Sequence, residues 1–386
     1  MNRRKFLQVS AGVSVAALLP EGARGAPARI VVVGGGIVGT SIAYHLVQRG
    51  AQVTLVEKSK PAAGATGSSF AWINATFSKQ PRNYFDLNLL GIFGWRRLDR
   101  EFSGELELQW GGCVEWHTGG AAADALRKDV ARTQQWGYPV HLVDQIEFRR
   151  LLPFVMPEPF AAASFSEREG TLDPVFVTQT ILDRAKRLGA RVLYPCEVTG
   201  LVRSGNRVSA VETTKGRVEL DTLVLASGVD TPRLAAMAEL RVPLKDSPGV
   251  LAHTAPLEPL LDRVALGPAA HMKQNPDGRV VTGSDFGGTP VTDSSTAFGE
   301  RLVARAATYL PELAQTKLES VTLGWRVMPQ DEYPILGFAD RCPNLYIAAT
   351  HSGVTLAPVI GQFASMEILD GARVEILAPY RLSRFA

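Results

Sequence analysis

The apolar positions switch between two periods along the chain. Ile30 to Val33 is an unbroken β-branched run, the pattern of a strand buried on both faces of a parallel sheet. From Ile37 to Arg49 the spacing becomes helical, with Val38, Ile42 and Leu46 on one stripe and Ala43 and Val47 beside it. Gly50 stops that helix, and "QVTLVE" starts a second strand. Residues 190–228 read as short strands, with turns at Ser204 to Asn206 and at Lys215 to Gly216, ending in the apolar strand "TLVLASG". "HMKQNPDGRVVTGSD" predicts a hairpin around Asp277 and Gly278. "NLYIAATHSGVTLAPVIGQFASMEIL" predicts a strand, a small-residue turn and a helix starting between Val354 and Ala357.

Between the first strand and helix, Gly34, Gly36 and Gly39 fit G-x-G-x-x-G, and Glu57 ends the second strand 18 residues after Gly39. In that context the first glycine makes a tight turn. The second lets a pyrophosphate reach the helix N-terminus, and the third lets helix and strand pack closely. Glu57 suits a ribose 2′-OH and disfavours a 2′-phosphate. The ligand is a dinucleotide. The following loop carries Gly64, Thr66, Gly67, Ser68 and Ser69, whose N–H groups and hydroxyls suit the phosphates and polyol chain of a flavin. Three glycine-bearing strand ends, far apart in sequence, imply one large extended ligand.

At 386 residues and 46% hydrophobic composition the chain is long enough for about two domains. Its formal charge is +3, but Arg3, Arg4, Lys5, Glu21 and Arg24 lie in the first 26 residues, and the remainder is neutral. That excludes a basic nucleic-acid-binding body. "NRRKFLQ", an 11-residue apolar stretch from Val9 to Leu19, and the small-residue run "EGARGAPA" form a tripartite leader. The apolar stretch is too short for a membrane span of about 20 residues. The arginine pair places the leader, residues 1–28, in the twin-arginine class. Export of a folded protein to the periplasm or beyond is expected, with cleavage after Gly25, Ala26 or Ala28.

The segments "VVVGGGIVGTSIAYHL", "VTLVEKSKPAAGATGSS", "EGTLDPVFVTQTILDRAKRLGARV", "DTLVLASGVDTPRL", "GWRVMPQDEYPILG" and "NLYIAATHSGVTLAPVIG" stand in the order found in one family. From about Ile30 to Leu369 the chain resembles the FAD-dependent oxidoreductases of the D-amino-acid oxidase, glycine oxidase, sarcosine oxidase and D-amino-acid dehydrogenase type. The resemblance implies an α/β fold. A Rossmann-like, glutathione-reductase-like FAD domain (29–80, 165–235, 322–386) is interleaved with a mostly antiparallel α+β substrate domain (81–164, 236–321). It further implies that Gly34, Gly36, Ile37, Val38 and Gly39 hold the pyrophosphate and Glu57, with Lys58 beside it, the adenosine ribose. Ala65, Thr66, Gly67 and Ser68 would line the middle of the flavin, Val198 would hold adenine, and Ser227 and Gly228 would lie beside the phosphates. Ser352, Gly353, Val354 and Thr355 would face the isoalloxazine O2 edge. The implied reaction is oxidation of an amino acid or secondary amine to an imine by hydride transfer to flavin N5. Arg326 of "GWRVMP" would hold the substrate carboxylate, and His351 stands where glycine oxidases carry a second arginine. Sarcosine oxidases attach flavin through a cysteine where this chain has Gly324, so FAD is expected to be non-covalent. Electrons would pass to O2 or to a quinone or other carrier.

Cys113, Cys196 and Cys342 show no C-x-x-C spacing and read as buried free thiols, and the six histidines show no metal spacing. Trp72 and Asn74 could cap the site, with core packing an equal reading for Trp72. His271 and Lys273 lie in the predicted hairpin, from which either could face the pocket, although Lys273 reads first as a solvated charge. Two alternatives remain open at this level. One is a flavoprotein oxidising a hydroxy acid or polyol phosphate; the other is a non-catalytic flavin-binding redox or partner protein.

Overall fold

The first strand, β1 (Arg29–Val33), lies inside a six-stranded sheet, which accounts for its apolar residues on both faces. The computed structural model describes residues 27–284 and 290–386. The proposed leader therefore falls almost wholly outside the described residues. β1 pairs in parallel with β2 (Gln52–Val56) on one side and with Thr222–Leu225 on the other. Cys342–Ala349 and Arg191–Leu193 extend the sheet in the same direction, and Ile335–Ala339 caps one edge antiparallel. Helix α1 (Ile37–Gln48) crosses from β1 to β2, and Gly50 at φ +86° ends its turn. The long C-terminal helix Gly353–Asp370 packs against α1.

A second sheet of eight strands runs from Leu318–Trp325 at one edge to Val140–Leu142 at the other. Its pairings are antiparallel except that between Val264–Leu266 and Cys113–His117. His271–Gln274 and Val280–Gly283 form the hairpin expected around Asp277 and Gly278. A separate antiparallel sheet joins Val198–Ser204, Arg207–Thr213 and Gly216–Glu219, with its turns where the sequence placed them.

Three elements depart from the segment boundaries drawn from sequence. Ala162–Ser166 and Leu318–Trp325 each run across such a boundary as single strands of the eight-stranded sheet. Arg82–Glu101 lies on the helix Gly353–Asp370, in the core that contains α1. Gly91 and Gly94 permit that contact, since a Cβ at either would stand 2.4 Å from the Thr355 carbonyl oxygen or 2.8 Å from Pro358 Cβ. Trp95 then donates to the Val354 carbonyl at 2.8 Å.

Candidate active site

Where β1 turns into α1, Gly34 adopts φ +113°, and a Cβ there would lie 2.3 Å from the Ala226 carbonyl oxygen. Only glycine lets this turn approach the end of Thr222–Leu225. Gly36 borders a cavity of about 420 Å³, and a Cβ on it would meet Thr66 Oγ1 at 3.1 Å. That hydroxyl accepts from the Ile37 N–H at 3.1 Å, closing the small-residue loop over the first turn of α1. Glu57 is fixed at the end of β2, where it accepts from the Gly35 N–H at 2.8 Å and the Ser59 N–H at 2.9 Å. The cationic side chains at this end are matched: Lys58 pairs with Asp230, and Arg233 with Glu197 at 3.2 Å.

The cavity passes Ala65, Ser68, Val198, Ser227 and Gly228 and ends at Arg326 and the first residues of Gly353–Asp370. Arg326 is anchored through its backbone N–H to the Ser247 carbonyl at 2.8 Å, and one Nη donates to Pro248 at 3.2 Å. Its Nε is buried without a partner, and it forms no ion pair among the described residues. His351 is held neutral: burial lowers its pKa to about 3, with Lys79 and Arg326 adding to the effect. Ser352, Gly353, Val354 and Thr355 line the same end. Trp72 and Asn74 do so too, on a segment tied down by the Asn74 N–H donating to Thr355 Oγ1 at 3.2 Å.

Two of the anticipated cofactor residues stand off the lining. A Cβ on Gly39 would fall 2.1 Å from the Gly34 carbonyl, so this glycine serves the close packing of α1 against the β1 turn and does not line the cavity. Gly67 donates to the Ala62 carbonyl at 2.8 Å and shapes the loop from behind. Lys273 is no solvated charge. It is fully buried inside the eight-stranded sheet and donates to the Leu172 carbonyl at 2.6 Å, with burial lowering its pKa to about 7. Neither it nor His271 lines the cavity. All three cysteines are free and buried, and Cys196 borders the cavity near Glu197 and Val198.

Sequence reasoning missed Lys79. It lines the Arg326 end, is 5% exposed, and donates to Ser352 Oγ at 2.7 Å. Its one signal in the sequence is that no other charged residue occurs between Pro61 and Pro81.

A βαβ unit with a glycine cradle at one end of a long cavity and a helix N-terminus at the other defines a protein for an extended dinucleotide. The lining fits FAD. Gly36 leaves its space open, and the buried Asn74 Oδ1 and Thr350 Oγ1 have no hydrogen-bond partner among the described residues. The family model "FAD dependent oxidoreductase" matches residues 29–365, and the chain belongs to that family. The chain is 26% identical to sarcosine oxidase subunit beta of Rhizobium meliloti, over 92% of this chain and 88% of that protein. It is also 26% identical to the formaldehyde-forming 4-methylaminobutanoate oxidase of Paenarthrobacter nicotinovorans, over 89% of this chain but only 44% of that longer protein. Its fold matches glycine oxidase from Geobacillus kaustophilus with a TM-score of 0.83 at 24% identity, covering 92% of this chain and 99% of that one. The protein is an FAD-dependent oxidoreductase.

Proposed function

We propose that the substrate is an amine carrying a carboxylate, such as a D-amino acid, glycine or an N-alkyl amino acid, and that Arg326 binds the carboxylate. The observation that carries this reading is the guanidinium at the cavity end, which forms no ion pair among the described residues. The acidic residues that line the cavity, Glu57, Glu197 and Asp230, all lie at the opposite end. Bound FAD supplies the hydride acceptor, held without a covalent link, and the chain supplies position and field. Arg326 fixes the carboxylate through its planar fork. Phe70 and Trp72 give the cavity apolar wall and exclude water. Neutral His351 offers a hydrogen bond without adding charge. The sarcosine and 4-methylaminobutanoate oxidases among the relatives favour an amine over a hydroxy acid or polyol phosphate. Electrons pass on to O2 or to a quinone-type carrier.

Arg326→Ala tests the assignment. Truncating one partner of a desolvated charge pair costs roughly 2–5 kcal/mol, so kcat/KM should fall by about 30-fold to several thousand-fold with FAD content intact. Arg326→Lys should recover part of the loss, because a point charge cannot reproduce the fork. A wild-type kcat/KM in Arg326→Ala rules the anchor out.

We further propose export of the folded, FAD-loaded chain through the twin-arginine machinery, on the strength of Arg3 and Arg4. Replacing both with lysine keeps the charge and should leave precursor in the cytoplasm. Undiminished periplasmic yield from that variant refutes the route.

A further inference from the structure

We propose that Lys79, acting through Ser352, holds a positive charge at the N-terminus of the helix Gly353–Asp370 and thereby makes the bound flavin easier to reduce. The inference rests on the placing of the isoalloxazine ring at this end of the cavity, opposite Gly36 and Glu57.

Lys79 Nζ donates to Ser352 Oγ at 2.7 Å, and the Tyr84 hydroxyl reaches the same oxygen at 2.8 Å. The Tyr84 ring lies 5.4 Å from the ammonium. The ammonium is thus fixed from two sides at a helix end that already favours negative charge. It is poorly balanced: Lys79 forms no ion pair among the described residues. Glu169, whose charge it feels, has Oε1 committed to the Ala75 N–H, the Thr76 N–H and the Thr76 hydroxyl. Two further groups point to a polar ligand at this spot. Asn74 Oδ1 and Thr350 Oγ1 line the cavity on residues 3% and 5% exposed, and neither atom has a partner among the described residues.

The reaction explains why a cation belongs there. Bound FAD would accept one hydrogen with its electron pair from the substrate carbon. The amine would be left as its iminium, and the reduced cofactor would carry the additional net negative charge. A fixed positive charge at the end of the cavity that would receive the ring would stabilise the reduced cofactor over the oxidised one, in a medium where water screens little. Lys79 is on this account a positioning residue, since it works through Ser352 and the helix end.

The test is the two-electron midpoint potential of the FAD-loaded protein, measured by equilibration with reference dyes in wild type, Lys79→Met, Lys79→Arg and Ser352→Ala, with FAD content determined in parallel. Lys79→Met should weaken binding of reduced relative to oxidised FAD at least about tenfold, which lowers the potential by about 30 mV. Lys79→Arg should stay close to wild type, and Ser352→Ala should shift in the same direction as Lys79→Met by less. A lysine that only supports packing would alter both redox states alike and leave the potential unmoved. Wild-type potential in Lys79→Met with full FAD overturns the proposal. So does wild-type potential in Ser352→Ala should Lys79→Met hold no FAD. Benzoate checks the placement separately. It should perturb the wild-type flavin spectrum through Arg326, and failure to do so overturns the placing of the ring.

Discussion

Glu169 is fully buried, with three hydrogen bonds on Oε1 and none on Oε2 among the described residues. It pins the segment that carries Asn74 and Lys79. Burial raises its pKa from 4.5 to about 7, so the folded chain holds the proton more tightly than the unfolded chain does. The stabilisation linked to that proton is complete below about pH 4.5 and is lost as pH rises through about 7. Glu169→Gln keeps an acceptor oxygen and removes the titration. Its Tm relative to wild type should therefore climb by about 2–4 °C between pH 5 and pH 8. A gap that stays flat or narrows would show that the carboxyl is not carrying a raised pKa. None of this was legible in the sequence. Periodicity reports where apolar residues are buried, and a charged residue defaults to solvent, which is why Lys273 was misplaced and Lys79 and Glu169 passed unnoticed. Glu57 was legible because it stands at a fixed offset from a recognisable strand end, whereas Arg326 was singled out only through the resemblance carried by "GWRVMP".

Among elements, the β1–α1–β2 unit was the most readable, because its strand, glycines, helix and acid are contiguous in sequence and constrain one another locally. The structure separates the glycines by what each one faces. Gly39 faces a backbone carbonyl that cannot yield, whereas Gly36 faces one side-chain oxygen at 3.1 Å and the open cavity. Gly36→Val should accordingly leave a folded chain, since Thr66 can shift, while the isopropyl group occupies cofactor space. Heat denaturation should release about one FAD per wild-type chain and less than about a tenth of that from the variant. Equimolar FAD in Gly36→Val would mean that the pyrophosphate lies elsewhere. The packing of Arg82–Glu101 on Gly353–Asp370 was not readable from either segment alone. Gly91 and Gly94 look like poor helix residues until the partner helix, more than 250 positions away, is in place.

At the scale of the whole molecule, two sheets built from interleaved segments leave a long cavity with matched charges at one end and unpaired cations at the other. Strand order across 386 residues depends on pairings that local pattern does not encode, and only the ordered set of family motifs made it foreseeable. The proposal of a carboxylate-bearing substrate rests on that asymmetry of charge. The central claim is oxidation of a carboxylate-bearing amine, and its most direct measurement is anaerobic mixing of the FAD-loaded protein with amino acids, N-alkyl amino acids and the matching hydroxy acids, followed by the flavin absorbance. At least one amine of this class should bleach the flavin rapidly, and its hydroxy-acid counterpart should not. Bleaching by hydroxy acids or polyol phosphates alone, or by an amine lacking a carboxylate as the best substrate, would contradict the account.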